Sequence, residues 1–558
     1  MVVVNTKQST LNRIVGKSIS IEELEKVLFD FGMELESHEG DDIAIEITAE
    51  RSDLVSAHGI GRALKAYLGI KKGMPVFDVT PSGVKVIVDK SVADVRPFTV
   101  AAVVKNLHLT DDDIREIIAV QEKIHQSFAR RRRRAAIGIY PLDPITPPIN
   151  YLALPPDKIS FQPLDAQDKM TATQILTDHP AGKDYAHLLD GKDAYPIFRD
   201  AQGEILSMPP IINSEKLGRV TEHTKDIFIE CSGFDLGLLK TILNILATMF
   251  ADMGGTVQSV DIKYQDGTIT TPDLAPIERT VSLKNVRALL GIDLDEKQVS
   301  DLLLRMLYKV VSSKGGILTV RIPRIRADVW HEVDIIDDVA RAYGFNNVAP
   351  TFPNIMTVAA TLPLSDLKEQ LAQAMVGLGF FETTTLGLTN EEHQYKRMEL
   401  KEEPHITIKD SAEKGFSMVR AWLLPENLLA LHYNRHRPYP QRIFECGFAV
   451  VPDKDADVKS RNELKLCALI CDRAVTFTHA RQALDAALRP LGLTVNIRRT
   501  EHPSFLSGRV GRIIVKGIDC GIIGEMHPKV LENWGLTVPT AGFEISVDAI
   551  LSVLKKKR

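Results

Sequence analysis

Four carboxylates near the middle of the chain are spaced so that they could act together on a cation. Asp334, Asp337 and Asp338 occupy positions i, i+3 and i+4 of a predicted helix, and Asp328 precedes Asp334 by six residues. Residues at this spacing share one helical face, where like charges repel by roughly a few tenths of a kcal/mol per pair. A Mg²⁺ ion, held directly or through waters, or a basic partner would relieve that repulsion. Acidic residues in a first helical turn also offset the helix dipole, so the spacing alone leaves both interpretations open.

Two basic runs could bind an anion. Arg130–Arg134 is an unbroken run of five arginines after a predicted amphipathic helix, and the chain ends in Lys555–Arg558. Taken singly, each run is more often a solvated surface than a binding site. The arginine run gains weight from its position, because cations at the end of a helix complement the dipole. A net charge of −5 argues against a protein that coats nucleic acid along its whole surface, but it allows local patches of this kind.

The composition is that of a globular protein with several domains. A chain of 558 residues is too long for one core, and its length predicts roughly three to five domains. The most apolar stretch, residues 234–250, is interrupted by Asp235, Lys240 and Asn244. Its large apolar residues recur at helical spacing, which predicts an amphipathic core helix rather than a membrane span. The amino terminus lacks the features of a secretory signal, and the one close cysteine pair, Cys467 and Cys471, lies in an apolar strand-like run. We therefore expect a cytoplasmic protein.

Sequence patterns divide the chain into four predicted domains. An N-terminal α/β region, residues 1–75, contains a helix whose start is predicted by the capping box Ser20–Glu23. Strands and helices alternate over residues 76–270, where Asp266–Gly267 predicts a hairpin. A linker leads to a compact helix-rich unit at residues 277–350, and residues 358–558 predict an antiparallel sheet covered by helices. The expected fold class is α+β with several domains.

Several segments resemble phenylalanyl-tRNA synthetase beta subunits of the archaeal and eukaryotic type. The run Arg130–Asp143 is similar to the opening of the family's B3/4 domain, and Met208–Glu215 resembles its editing-pocket segment. Residues 279–350 resemble the B5 module, and His432–His436 together with Phe444–Gly447 resembles the catalytic-like module. The resemblance covers nearly the whole chain. It implies a B3/4-like editing domain, a winged-helix-like B5 domain, and a class II synthetase-like antiparallel sheet with helices.

The resemblance implies a subunit of an enzyme that uses ATP to attach phenylalanine to its tRNA. The expected assembly is an (αβ)2 tetramer in which the alpha subunit carries the activation site. In this chain Ala541–Glu544 stands where an active class II copy would place an ATP-holding arginine. Without that cation the triphosphate charge is poorly neutralised. Residues 358–558 are therefore expected to act as a scaffold that pairs with the alpha subunit.

The resemblance also implies hydrolytic editing. An apolar phenylalanine pocket cannot strongly reject an isostere that adds only a hydroxyl, and the family hydrolyses tyrosyl-tRNA in its B3/4 domain. The implied site consists of Asn213, Ser214, Glu215, Glu230 and Ser232. Glu215 or Glu230 would accept the tyrosyl hydroxyl, while Asn213 and Ser214 would position water or the ester carbonyl. Spacing alone favours a structural interpretation, in which Pro209–Pro210 sets a turn that Asn213 and Ser214 cap.

In the same match, the family's Mg²⁺ ligands fall on Asp328, Asp334, Asp337 and Asp338, where two subunits of the family meet. The family usually has Glu at the last two positions, and the shorter Asp predicts an extra water bridge there. Two other functions are compatible with parts of the sequence. One is a nucleic-acid-binding winged-helix scaffold built on residues 277–350, and the other is a freestanding hydrolase that clears mischarged tRNA.

Overall fold

The computed structural model describes residues 2–555. The chain divides into two compact units between Phe352 and Pro353. Of the predicted basic segment Lys555–Arg558, only Lys555 belongs to the described residues. Within the described part, no helix is both long enough and apolar enough to cross a membrane.

A three-stranded antiparallel sheet with the order β1-β3-β2 opens the first unit. Its elements, with the helices that accompany them, are β1 (Val2–Lys7), α1 (Gln8–Val15), α2 (Ile21–Phe31), β2 (Glu34–Glu39), β3 (Asp42–Ile47) and α3 (Ala57–Tyr67). Ser20 caps α2 by accepting a hydrogen bond from the Glu23 amide, as predicted. Gly32 ends this helix with a φ of 99°, a conformation that favours glycine.

A mixed sheet of ten strands forms the largest part of the first unit. Nine strands follow the order β12-β11-β10-β7-β4-β14-β5-β13-β6, and β15 pairs with β14 as the predicted hairpin. The strands are β4 (Thr80–Val88), β5 (Phe98–Lys105), β6 (Ala135–Pro141), β7 (Ile149–Leu154), β10 (Tyr195–Arg199), β11 (Ile205–Met208), β12 (Ile212–Asn213), β13 (Ile227–Gly233), β14 (Thr256–Tyr264) and β15 (Gly267–Thr271), with β8 (Ser160–Phe161) and β9 (Met170–Thr171) forming a separate pair. The helices are α4 (Asp111–Gln126), α5 (Ala172–Asp178), α6 (Pro180–Tyr185), α7 (Glu215–Gly218) and α8 (Leu236–Asp252).

Strand β13 is the most enclosed strand of this sheet. It lies between β5 and β6, and all of its residues are buried. A polar side chain on such a strand needs a partner inside the protein, because water cannot reach it. The hydrogen-bond partners of Glu230 and Ser232, the polar residues of β13, therefore need to be identified inside the protein.

The third sheet of the first unit has the order β16-β18-β17 and is antiparallel. Its elements and helices are β16 (Ile277–Ser282), α9 (Leu283–Leu290), α10 (Glu296–Arg305), β17 (Lys309–Lys314), β18 (Ile317–Ile322) and α11 (Glu332–Tyr343). One hydrophobic core includes Leu28 of α2, Leu243 of α8 and Val339 of α11. The three sheets of this unit are therefore parts of one packed body.

The second unit is a seven-stranded sheet with helices on both faces. Its order is β19-β22-β23-β27-β26-β25-β24, antiparallel except for β19 beside β22. The strands are β19 (Phe381–Glu382), β22 (Gln441–Pro452), β23 (Ser460–Cys471), β24 (Val495–Arg499), β25 (Phe505–Val515), β26 (Ile518–Met526) and β27 (Thr540–Ser546), with a small pair β20 (Leu388–Thr389) and β21 (Met418–Val419). The helices are α12 (Pro363–Gly377), α13 (Glu391–Gln394), α14 (Leu424–Asn434), α15 (Phe477–Leu488), α16 (Pro528–Asn533) and α17 (Val547–Lys555).

Successive residues of β23 face opposite cores in this unit. Leu466 and Ala468 pack with α12, α15 and α17, whereas Cys467 and Leu469 pack with α14 and α16. This alternation is the two-residue period of a strand buried on both faces. The predicted antiparallel sheet covered by helices, and with it the α+β fold class, is confirmed.

Candidate functional site

A cavity of about 480 Å³ opens beside the ten-stranded sheet of the first unit. Side chains of α4, β6 and β13 form part of its wall, and the segment from β11 to α7 forms much of the rest. Much of the wall is apolar, with several isoleucines from α4 and β6. The polar side chains that line it are Gln121, Glu122, His125, Arg132, Asp165, Ser207, Asn213, Arg219 and Glu230. An apolar cavity with a few convergent polar groups is the usual form of a small-molecule site.

Glu230 is the buried acid of this cavity. Its residue is 1% exposed, and its Oε2 has no hydrogen-bond partner among the described residues. Burial raises the pKa of this carboxyl to about 8, although hydrogen bonding from Tyr140 and the charge of Arg96 oppose the rise. Glu230 is therefore mostly protonated at neutral pH. A buried polar atom without a partner is costly, and such an atom in a cavity wall is suited to a ligand.

Tyr140 and Ser207 hold the other oxygen of Glu230 in place. The Tyr140 hydroxyl lies 3.1 Å from Glu230 Oε1 and 2.8 Å from Ser207 Oγ. Because a phenol has one hydrogen, Tyr140 can donate to Ser207 while it accepts from protonated Glu230. Gly138 leaves room for this arrangement, since a Cβ there would lie 2.5 Å from Glu230 Oε1. The acid is thus fixed with one oxygen engaged and one oxygen available.

The structure brings two of the five predicted editing residues to the cavity. Asn213 and Glu230 line it, whereas Ser214, Glu215 and Ser232 do not. Ser214 caps α7 by accepting a hydrogen bond from the Leu217 amide, which is the structural role that spacing favoured. Glu215 pairs with Arg219 and accepts a hydrogen bond from the Asp165 amide. Ser232 is fully buried and accepts a hydrogen bond from Arg96.

His125 is a cavity residue that the sequence did not single out. Its Nε2 accepts a hydrogen bond from the Ile137 amide at 3.0 Å, which places the ring proton on Nδ1. That Nδ1 is buried and makes no hydrogen bond within 3.5 Å among the described residues, although Glu122 Oε2 lies 3.6 Å away. Burial lowers the pKa of His125 to about 4, although Glu122 acts in the opposite direction. The ring is therefore neutral near pH 7 and presents one N–H donor rather than a base.

Arg132 belongs to the arginine run and reaches the cavity wall. Its Nη1 donates to the carbonyl oxygens of Pro210 and Ile211, at 3.2 and 2.9 Å. Its guanidinium carbon lies 4.1 Å from the centre of the Tyr185 ring, which is a cation–π contact. The sequence indicated a basic patch here. Only the folded structure shows that Arg132, one of the five arginines, bonds to the backbone of Pro210 and Ile211 in the cavity wall.

The four predicted metal ligands line a second cavity of the first unit, of about 530 Å³, together with Arg51, Arg326 and Arg341. Arg326 binds Asp328 through two hydrogen bonds of 2.8 and 2.6 Å and reaches Asp338 at 2.7 Å. The hydroxyl of Tyr308 donates to Asp338 at 2.6 Å. A guanidinium therefore supplies the positive charge that these two carboxylates need.

The other two carboxylates have weaker local partners. Asp334 Oδ2 accepts hydrogen bonds from the Trp330 and His331 amides, both at 2.7 Å, and so caps α11. Asp337 pairs with Arg341 at 2.7 Å, and half of its side chain is exposed. Within residues 2–555 no three His, Cys, Asp or Glu side chains converge as a metal site does. Of the four aspartates, Asp334 and Asp337 are the two that do not bond to Arg326.

Glu544 occupies the place in the second unit where an ATP-holding arginine is expected. It is 5% exposed, and its Oε2 accepts hydrogen bonds from the Leu423 and Leu424 amides at 2.9 and 3.0 Å. Its Oε1 lies 3.2 Å from Lys465 Nζ. A buried carboxylate that caps α14 repels a triphosphate, and it has the packing and the partners of a structural residue.

Comparisons with known proteins agree along the whole chain. Family models described as "Phe-tRNA synthetase beta subunit B1 domain", "tRNA synthetase B5 domain" and "Phenylalanyl tRNA synthetase beta chain CLM domain" match residues 1–70, 279–345 and 348–547. The phenylalanine–tRNA ligase beta subunit of Pyrococcus horikoshii is 41% identical, over 97% of this chain and 98% of that protein. The beta subunit of Archaeoglobus fulgidus is 39% identical over 93% of each chain.

A solved structure supports the same conclusion for the first unit. The crystal structure of an N-terminal fragment of the P. horikoshii phenylalanyl-tRNA synthetase beta subunit matches with a TM-score of 0.59 and 40% identity. The match covers 61% of this chain and 99% of the fragment. Given these identities over nearly the full length, the chain belongs to the family of phenylalanine–tRNA ligase beta subunits, which are aminoacyl-tRNA synthetase subunits.

Proposed function

We propose that this chain is the beta component of an (αβ)2 phenylalanine–tRNA ligase, in which an alpha partner activates phenylalanine with ATP and both subunits bind tRNA. Nearly complete similarity to beta subunits supports this role. The buried carboxylate of Glu544 supports the division of labour, because a negative charge stands where the resemblance leads us to expect an ATP-holding arginine. The four-domain division, with boundaries at 75, 270, 277, 350 and 358, and the cytoplasmic location belong to the same proposal.

We also propose that the cavity around Glu230 hydrolyses tyrosyl-tRNA formed in error. The observation that carries this proposal is the buried Glu230 oxygen without a partner among the described residues, in the wall of a cavity that is apolar over much of its surface. A tyrosyl side chain would place its hydroxyl against that oxygen, and a phenylalanyl side chain would leave the oxygen unsatisfied. Leaving a buried polar group unpaired costs about 1–3 kcal/mol, which corresponds to a preference of roughly ten- to hundredfold.

The cavity residues divide the work of ester hydrolysis by position. Glu230 binds the phenol, and the Nδ1–H of His125 is a donor for the carbonyl oxygen on which negative charge develops. Asn213 orients the attacking water. The water oxygen bonds to the carbonyl carbon, the bond from that carbon to the ribose oxygen breaks, and the water protons end on the tyrosine carboxyl and the ribose hydroxyl. His125, neutral and with Nε2 engaged, contributes as a donor and not as a base.

The assembled enzyme tests this function directly. Tyrosyl-tRNA is incubated with the wild-type holoenzyme, with a Glu230→Leu holoenzyme, and with a Glu215→Leu holoenzyme as the matched control. We expect rapid hydrolysis by the wild type and the control, and at least a tenfold loss in Glu230→Leu. Equal hydrolysis by all three enzymes, or none by the wild type, would contradict the proposal.

For Mg²⁺, we propose that Asp334 and Asp337 hold the ion through water, with Asp328 and Asp338 nearby on Arg326. The exposure of Asp337 supports this choice. When bound, the ion would supply positive charge to the acidic face at a subunit junction. We expect Asp337→Asn to raise the Mg²⁺ concentration needed for tetramer assembly, measured by sedimentation. The same substitution at Asp301, an exposed acid of α10, serves as the control, and equal behaviour of the two variants would contradict the assignment.

A further inference from the structure

The arginine run folds into an unusual turn between α4 and β6. Arg130, Arg131 and Arg132 have φ angles of 50°, 52° and 61°, so three successive residues with side chains adopt the left-handed conformation. Residues other than glycine adopt this conformation rarely and usually singly. Such strain persists only where surrounding contacts enforce it, and it is concentrated at functional sites. We call residues Arg130–Arg134 the arginine turn.

Contacts at both ends of the turn hold its backbone. The Arg132 amide donates to the His125 carbonyl at 3.3 Å, and the Arg134 amide donates to the Ala129 carbonyl at 3.0 Å. Arg96 donates to the carbonyl of Arg132 at 3.4 Å. The Arg132 side chain is also held by the carbonyl oxygens of Pro210 and Ile211 in the cavity wall. These contacts fix the position of the turn beside the cavity.

The other side chains of the turn are free for a ligand. Arg130, Arg131 and Arg133 are exposed, and none of them takes part in an ion pair among the described residues. Arg134, in contrast, pairs with Asp235. A solvated arginine run does not require a strained backbone, because a relaxed loop would expose the same charges. The strain is explained if these guanidinium groups must stand at a fixed place near the cavity that Arg132 lines.

The other arginine of the cavity wall is already neutralised by acidic side chains. Arg219, which also lines the cavity, is bound by Glu215 and Asp165, so this group carries a net negative charge. Positive potential at the mouth of the cavity is therefore concentrated on the arginine turn. An anionic substrate would be drawn to one side of the opening.

We propose that the arginine turn binds phosphates of the single-stranded 3′ end of tRNA and so directs the aminoacyl ester into the cavity. This inference rests on the proposed editing function, since it assigns that site its means of holding the RNA. Arginine is suited to the task because its planar guanidinium binds phosphate oxygens in pairs. Contacts to phosphate carry no base information, so we expect the turn to position the RNA without reading its sequence.

The test compares three variants of the holoenzyme. R130A/R131A/R133A removes the exposed charges, and R130K/R131K/R133K keeps them. R473A/R489A/R499A removes three exposed arginines of the second unit that also lie outside the ion pairs of the described residues, and it is the matched control. The substrates are tyrosyl-tRNA and 3′-O-tyrosyl-adenosine, which has the same ester without phosphates. Phenylalanine charging by each preparation reports folding and assembly.

We expect the triple alanine variant to hydrolyse tyrosyl-tRNA at least tenfold more slowly. The lysine variant should restore only part of the rate, because lysine keeps the charge but not the paired hydrogen bonds of a guanidinium. Hydrolysis of 3′-O-tyrosyl-adenosine and phenylalanine charging should change less than twofold. The slope of log rate against log salt should fall in magnitude by about two, since each phosphate contact on a single strand contributes about 0.7. If the triple alanine variant hydrolysed tyrosyl-tRNA at the same rate as the control variant, the inference would be overturned. Loss of adenosine ester hydrolysis would also overturn it, because the turn would then act through the shape of the cavity.

A separate measurement distinguishes failure of this inference from failure of the editing proposal. If the wild type hydrolyses neither ester, the editing proposal fails. The affinity of an uncharged acceptor-stem minihelix with a CCA end then decides the inference. A weaker affinity and a smaller salt slope in the triple alanine variant would support phosphate binding by the turn, and unchanged values would contradict it.

Discussion

Two groups of buried carboxylates in the first unit have opposite surroundings. Asp328 and Asp338 share Arg326, and Tyr308 completes the bonding of Asp338. Glu230 has no cation within ion-pairing distance among the described residues, and it keeps one oxygen without a partner. The first group is satisfied by the chain itself, whereas the second is completed only by something that enters the cavity. Burial alone therefore does not identify a functional acid, and the state of its partners does.

The largest change in stability should come from removing the cation that Asp328 and Asp338 share. In Arg326→Met, two buried carboxylates lose their shared cation, which is expected to cost about 3–5 kcal/mol of unfolding free energy. Chemical denaturation of the holoenzyme measures the loss. Arg321→Met removes an exposed pair with Glu278 and should cost less than about 1 kcal/mol. Similar losses in the two variants would show that the buried cluster is not held by Arg326.

The second effect is a pH dependence that comes from Glu230. Its folded pKa, about 8, lies above its ordinary value of 4.5, so the folded state keeps a proton that the unfolded state releases. The stability from this group is fully present below pH 4.5 and is lost as pH rises through 8, at a slope of about 1.4 kcal/mol per pH unit between the two values. Because glutamine does not titrate, Glu230→Gln should lack this contribution to the dependence of stability on pH. Parallel stability curves for wild type and Glu230→Gln between pH 5 and 8 would contradict the burial argument.

The smallest effect on stability and hydrolysis should come from Ser214, which is close to the cavity in sequence but does not line it. Ser214→Ala removes the cap of α7 and should cost about 1 kcal/mol of stability. Its rate of tyrosyl-tRNA hydrolysis should stay within twofold of the wild type. A tenfold loss of hydrolysis with little loss of stability would place Ser214 in the chemistry, as the family resemblance first implied.

Local sequence patterns predicted the elements well but the partners poorly. The cap of Ser20 and the hairpin at Asp266–Gly267 depend on neighbouring residues, and both are confirmed. The family resemblance identified Glu230 and Asn213, yet no spacing could show that His125 reaches the same cavity. Strand β11 lies near one end of the sheet order and strands β13 and β6 lie at the other end. The hydrogen bond from Tyr140 of β6 to Ser207 of β11 shows that the folded sheet brings these ends together.

The acidic face shows the same limit. The sequence predicted the shared face of Asp334, Asp337 and Asp338, and an unspecified positive partner. Arg326 lies within the segment that resembles the B5 module, but its bond to Asp338 depends on how the loop before α11 folds back. Charge repulsion indicated that a cation was needed, and only the three-dimensional structure identified a guanidinium as the cation for part of the cluster.

The most direct test of the contrast between the two groups is the ratio of tyrosyl-tRNA to phenylalanyl-tRNA hydrolysis by the holoenzyme. If the available oxygen of Glu230 recognises the phenol, the wild type should favour tyrosyl-tRNA by at least tenfold, and Glu230→Leu should reduce the ratio to within about twofold of unity. Glu230→Gln, which keeps a donor and an acceptor at the same place, should retain most of the preference at pH 7. A ratio that is unchanged in Glu230→Leu would show that the unpaired carboxyl is not what the cavity uses to choose its substrate.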